Sequence, residues 1–166
     1  MKNTINKVYL LLGGNLQNVE KTFIDTRNEI NISVGKIINQ SKEYKSEAWG
    51  FKSDNYFLNQ VLEIETSHTP LETLHHIQVI EKKLGRIRTS DVDGFESRVI
   101  DIDILYFNSD IIKSDQLTVP HYALHERNFT LSPLVEISPL YIHPIFRKTN
   151  KELLDICTDT NIATIK

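Results

Sequence analysis

The sequence predicts an α+β sandwich, with helices laid on a mostly antiparallel sheet, and two observations carry that prediction. Apolar residues recur first at strand spacing and then at helix spacing, in the order strand, helix, strand, strand, helix, strand, hairpin, which is the split β-α-β pattern. At 166 residues the chain is long enough for one core and short for two, so a single domain over 1–166 is expected.

Val8-Tyr9-Leu10-Leu11-Leu12 runs into Gly13-Gly14-Asn15, a buried strand entering a tight turn. A helix follows, because Val19, Phe23, Ile24, Arg27, Ile30 and Val34 recur at three- and four-residue steps, with Gly35 as its stop. Two strands are expected over 36–44 and 56–66, joined by a loop over 46–54. Thr69-Pro70 opens a second helix, whose face is Leu71, Leu74, Ile77, Ile80, Glu81 and Leu84 and whose end is Gly85. Residues 86–97 lack apolar periodicity and are rich in charge, as in a mobile surface loop. The most strand-like run spans 99–107, and Asn108-Ser109-Asp110 then gives a hairpin turn into Ile111-Ile112. Beyond lie a short apolar segment ending at Ile137 and a helical turn or two over 151–157.

Composition excludes several function classes. The net charge of -3 offers no global positive field for nucleic acid. No stretch approaches the roughly 20 apolar residues of a membrane helix, and the first apolar run is too short for a signal peptide. Cys157 stands alone, so no intrachain disulfide forms, and the expectation is a cytoplasmic protein with Cys157 half buried.

The segment that points most directly to chemistry is Arg98-Val99-Ile100-Asp101-Ile102-Asp103-Ile104-Leu105. Side chains alternate along a strand, so Asp101 and Asp103 share one face while Ile100, Ile102 and Ile104 share the other. Two adjacent carboxylates repel and ask for a cation, and hard oxygen donors of this kind suit Mg²⁺ together with substrate phosphates. A solvent-facing strand edge with salt-bridged acids would show the same alternation.

Arg86, Arg88 and Arg98 bracket the charged loop, where guanidinium groups could grip phosphate as the loop closes. A solvated loop would carry the same arginines. Leu117-Thr118-Val119-Pro120-His121-Tyr122, with Arg127 and Phe129, offers donors for phosphate or ribose, although a core-capping His would look alike. Tyr44-Lys45-Ser46-Glu47-Ala48-Trp49-Gly50-Phe51 and Tyr56-Phe57-Leu58-Asn59 place aromatics around an Asn, as a flat heterocycle would need and as an ordinary core would also supply. Neither standard phosphate loop is present.

Taken in chain order, these segments resemble the 6-hydroxymethyl-7,8-dihydropterin pyrophosphokinase family, most specifically in the run from Arg98 to Leu105 and that from Leu117 to Tyr122. The resemblance implies a ferredoxin-like sandwich that moves a diphosphate from ATP to a pterin alcohol, with two Mg²⁺ ions; the expected partners are these small-molecule substrates, not nucleic acid or membrane, and a monomer is expected. It implies Asp101 and Asp103 as metal ligands, and Arg86, Arg98 and His121 beside them at the transferring phosphates. Gln78, Glu81, Arg88, Ile104, Thr118, Tyr122 and Arg127 would complete the nucleotide site. Phe57 and Phe129 would sandwich the pterin, Asn59 would read its polar edge, and Ser46, Ala48, Trp49 and Phe95 would form the wall. Gly14 and Phe57 stand where many relatives have Ser and Tyr, and Gly94 falls where some have Arg. Other classes with this order of elements are an RNA-recognition module, which needs a basic aromatic face, and a two-metal transferase acting on a different acceptor.

Overall fold

A computed structural model of the chain describes residues 4–86 and 97–166. Strand β1 (Asn6–Gly14), helix α1 (Val19–Ser33) and strands β2 (Lys36–Gln40), β3 (Tyr44–Ser46) and β4 (Phe57–Thr66) form the first half. Helix α2 (Pro70–Lys83), strand β5 (Asp101–Phe107), the short strands β6 (Ile112–Lys113) and β7 (Thr118–Val119), helices α3 (Asn128–Ile137) and α4 (Asn150–Ile156) and strand β8 (Thr164–Ile165) follow. The main sheet runs β5-β1-β4-β3-β8 with β2 also on β4, and every pairing in it is antiparallel.

Alternation along the strands buries both faces. Val8, Leu10, Leu12, Leu62, Ile64, Ile102 and Ile104 meet Phe23 and Ile30 of α1 and Ile77 and Ile80 of α2. Tyr9, Leu11, Val61, Leu105 and Tyr106 meet Leu131 and Leu134 of α3 and Leu153 of α4, with half-buried Cys157 packed alongside. Each fully buried aliphatic contributes about 1.5–3 kcal/mol, so the central strands β1 and β4 are the anchor of the fold.

The helix stripes differ from expectation at single positions. Ile24 and Leu71 are 51% exposed, and the inward places go to Thr26 and Thr73, which are fully buried. Thr69 caps α2 in a reciprocal box with Glu72, and Asn18 caps α1. Gly35 follows the end of α1 for a reason other than a positive φ: a Cβ there would lie 2.4 Å from the Glu65 carbonyl oxygen.

Four expectations are corrected. The strand over 36–44 is two strands, because the Ser41 hydroxyl takes the bond from the Val61 N–H and the pairing register with β4 slips by one residue. β5 begins at Asp101, since Asn15 already holds Arg98 through backbone and side chain. The hairpin joins β6 to β7 in a sheet of their own, and Asn108 instead turns the chain at φ 48 while pairing with Lys7. The apolar segment before Ile137 is helix α3 despite Pro133, and β8 was not foreseen at all.

Candidate active site

The charged end of the site is assembled at the start of β5, where that strand joins β1. Asp101 and Asp103 lie beside Gly13 and Leu11 of β1, and all four line one cleft of about 610 Å³. α2 ends above them in a Schellman turn: Arg86 N–H bonds the Glu81 carbonyl, Gly85 N–H bonds the Lys82 carbonyl, and Gly85 takes φ 97. That turn folds Arg86 back over its own helix. Its guanidinium reaches the Glu81 carboxylate and, at 2.6 Å, Asp101. From the other side Arg98 donates to the second Asp101 oxygen at 2.5 Å.

Arg98 is itself fixed by the turn after β1. Asn15 accepts from the Arg98 N–H at 2.9 Å and donates its own N–H to the Arg98 carbonyl at 3.0 Å. Gly14 permits this approach, because a Cβ there would stand 2.6 Å from the Val99 carbonyl oxygen. Glu81 is buried and also accepts from the Ile102 N–H at 2.8 Å, so one carboxylate ties α2, β5 and Arg86 together.

The two aspartates differ in charge. Burial opposes ionisation of Asp101, but Arg98 and Arg86 overcome it and hold the carboxyl below its ordinary value. Burial and then the Asp101 charge push Asp103 up to about 8, so it keeps its proton at neutral pH. Its side chain is still 28% exposed, within reach of a ligand in the cleft. A cation arriving beside the two carboxyls would oppose both causes, burial and the Asp101 charge, and favour release of that proton.

His121 faces Asp103 with its Nε2 3.8 Å from the carboxylate. Burial and then Arg127 lower its pKa to about 4, so the ring is neutral. The Ala123 N–H donates to Nδ1 at 3.2 Å, which leaves the ring proton on Nε2, aimed at the cleft as a donor. The ring is held there by β5: the register with β1 slips at Leu105, and the bulged Leu105 carbonyl accepts the His121 N–H at 3.0 Å.

The other end of the cleft is aromatic. Buried Arg127 lies 4.5 Å from the Trp49 ring, 5.6 Å from Phe129 and 5.8 Å from Tyr122. Phe57 meets Phe51 edge to face at 5.9 Å. Asn59 is buried, and its Nδ2 donates to the Tyr44 carbonyl and the Ser46 hydroxyl, so its carboxamide oxygen is turned toward Gly13.

Of the residues expected from the sequence, Ser46, Trp49, Phe57, Asn59, Gln78, Glu81, Arg86, Arg98, Asp101 and Asp103 line this cleft. Ile104, Thr118, His121, Tyr122, Arg127 and Phe129 do so as well. Ala48 is not among the lining residues, while Glu47 and Trp49 on either side of it are. Arg88, Phe95 and the lid expected over 86–97 lie outside the described residues, apart from Arg86 and Ser97 at its ends. Sequence reasoning missed Leu74 and the loop residues Ser114, Asp115 and Gln116 as cleft walls. The last three could have been found only by pairing β6 with β7.

The family model described as 7,8-dihydro-6-hydroxymethylpterin-pyrophosphokinase matches residues 9–139. The Aquifex aeolicus 2-amino-4-hydroxy-6-hydroxymethyldihydropteridine pyrophosphokinase is 40% identical over 147 residues, 87% of this chain and 88% of that one. The Pneumocystis carinii folic acid synthesis protein fol1 is 38% identical over 83% of this chain, which spans only 18% of that longer protein. Among solved structures, an HPPK-DHPS in complex with substrates superposes with a TM-score of 0.73 at 18% identity, covering 90% of this chain and 43% of that one, and so shares the fold. The chain belongs to the 7,8-dihydro-6-hydroxymethylpterin-pyrophosphokinase family.

Proposed function

We propose that the cleft binds ATP and 6-hydroxymethyl-7,8-dihydropterin side by side and moves a diphosphate from the first to the second, the pyrophosphokinase step of folate biosynthesis. The observation that carries the assignment of residues is the pair on β5: one aspartate ionised between two arginines, its neighbour still protonated, both in the cleft that ends in the aromatic slot.

The donor set fits Mg²⁺. Two adjacent carboxylates are the protein share that Mg²⁺ takes when phosphates supply the remainder, and among the described residues no larger acidic or His cluster competes for a metal. Asp101 and Asp103 would hold two such ions, which supply charge neutralisation at the phosphates. Arg86 and Arg98, already at Asp101, are placed to exchange that carboxylate for phosphate oxygens. His121 donates its Nε2–H to a phosphate oxygen without adding a charge.

At the aromatic end Phe57 and Phe129 stack on the pterin, Asn59 accepts from its polar edge, and Ser46 and Trp49 bound it, while Ala48 stays behind that wall. Gln78, Glu81, Ile104, Thr118, Tyr122 and Arg127 surround the nucleotide; Arg88 is assigned to the nucleotide and Phe95 to the pterin on sequence alone. The hydroxymethyl oxygen attacks the β-phosphorus, forming one O–P bond. The bond from that phosphorus to the α,β-bridging oxygen breaks, the electron pair leaves with AMP, and the hydroxyl proton is lost to Asp103 or solvent. In this reading residues 1–166 act as one domain, a monomer in the cytoplasm that needs no nucleic acid.

Incubation with MgATP and hydroxymethyldihydropterin should yield AMP only when both are present. ADP would mean a kinase, pyrophosphate a nucleotidyl transferase, and either would reject the proposal.

A further inference from the structure

We infer that residues 159–166 form a clasp that sets the width of the pterin slot, with Asn161 and Asp159 as its positioning residues. This rests on the reading of the aromatic end as the pterin site. The clasp lies beyond residues 9–139, the span matched by the family model.

Two walls of the slot are weakly held by their own elements. One is the loop after β3, which carries Glu47, Ala48 and Trp49. The other is the start of α3, which carries Arg127 and Phe129 and where no side chain caps the helix. The tail bridges both from outside. The Asn161 carboxamide accepts from the Glu47 N–H at 3.2 Å and donates to the Glu47 carbonyl at 3.1 Å, gripping both polar groups of the residue two before Trp49.

The Asp159 carboxylate accepts the N–H of Asn128 at 2.9 Å and that of Asn161 at 3.0 Å, so it supplies the first-turn partner that α3 lacks and fixes the angle of Asn161. Buried Asn128 returns the contact by accepting from the Ala163 N–H at 2.9 Å. β8 then pairs with Tyr44 and Lys45 of β3, which anchors the clasp to the sheet edge. Across the slot, Trp49 lies on Arg127, so the two walls touch inside through that pair and outside through the tail.

The test compares Asn161→Ala with the intact chain. Loss of two neutral hydrogen bonds at one wall should raise KM for the pterin about tenfold and leave kcat and KM for ATP within about twofold. Trp49 is the only tryptophan, so its emission in the substrate-free protein should shift to the red and quench more readily with acrylamide. Asn161→Asp keeps the acceptor for the Glu47 N–H, loses the donor, and should fall between; if Asn161→Ala fails to fold, it carries the test alone. The clasp requires both changes. An unmoved pterin KM, an unmoved Trp49 emission, or a parallel worsening of both KM values and kcat overturns it. Intact protein that forms no AMP overturns the functional reading instead, and Trp49 emission still reads whether the tail holds the loop.

Discussion

At the charged end of the cleft, Asp101 and Asp103 stand on β5, Glu81 on α2, and Arg86 one turn beyond it. At the aromatic end, Trp49 and Glu47 ride on a loop, and Arg127 sits at the threshold of α3. The charged end is held by ion pairs that join buried Glu81 to half-buried Arg86 and Asp101, the aromatic end by side chains that bond backbone groups of distant segments. Phosphate chemistry tolerates little displacement of charge, so its groups are placed on elements that cannot shift separately. Recognition of a flat ring needs area and spacing, which loops supply once they are tied.

Changes at the charged end should therefore act on turnover, and changes at the aromatic end on pterin affinity. The largest effect is expected from Asp103→Asn, which mimics the protonated side chain. It should leave Tm within about 2 °C and lower kcat about 10³-fold in steady-state assays. Near-normal turnover would break the contrast at once. Arg98→Ala should lower kcat/KM for ATP about 100-fold with little change in pterin binding. Phe129→Ala should do the reverse, raising pterin KM about tenfold while kcat changes less.

A pH measurement sharpens the difference between the two aspartates. Folded Asp103 keeps its proton up to about 8, whereas an unfolded carboxyl loses it near 3.8. The folded state thus binds more protons over that range, and stability falls as pH rises through it. His121, ordinarily near 6.5 and here about 4, pulls the other way only below 6.5. Between about 6.5 and 8 the metal-free Tm should therefore fall by a few degrees, and Asp103→Asn should flatten that slope. A Tm that rises across the window would reject the protonated aspartate. The smallest effect is expected for Gly85→Ala. A side chain at its positive φ costs about 1 kcal/mol, a drop in Tm of about 2–4 °C, with a modest loss of turnover as Arg86 shifts.

The sequence made the charged end legible because its residues obey local rules. Alternation placed Asp101 and Asp103 on one face and the isoleucines on the other, and Gly85 marked the turn that aims Arg86. Phe57, Phe129 and Asn59 were reached through the order of motifs, since nothing local says that residues so far apart in the chain enclose one space. What stayed hidden depends on long-range pairing. The Ser41 hydroxyl standing in for a backbone acceptor, the β6–β7 pairing that brings Asp115 and Gln116 to the cleft, and the tail at Glu47 leave no periodic trace. Ile24 and Leu71 misled for a related reason: apolar spacing marks a helix but not which of its neighbours will have a partner to bury it.

The irregularity at Leu105 makes the length of β5 a functional quantity. With one residue unpaired against β1, the same strand sends Asp101 and Asp103 to the cleft and then both Leu105 and Tyr106 to the α3 layer. Deleting a single residue there would tidy the ladder and leave composition almost untouched. It would keep Tyr106 and Phe107 in their present layers and remove the carbonyl that holds the His121 N–H, so a strand one residue shorter would preserve its core while loosening a donor that faces the cleft.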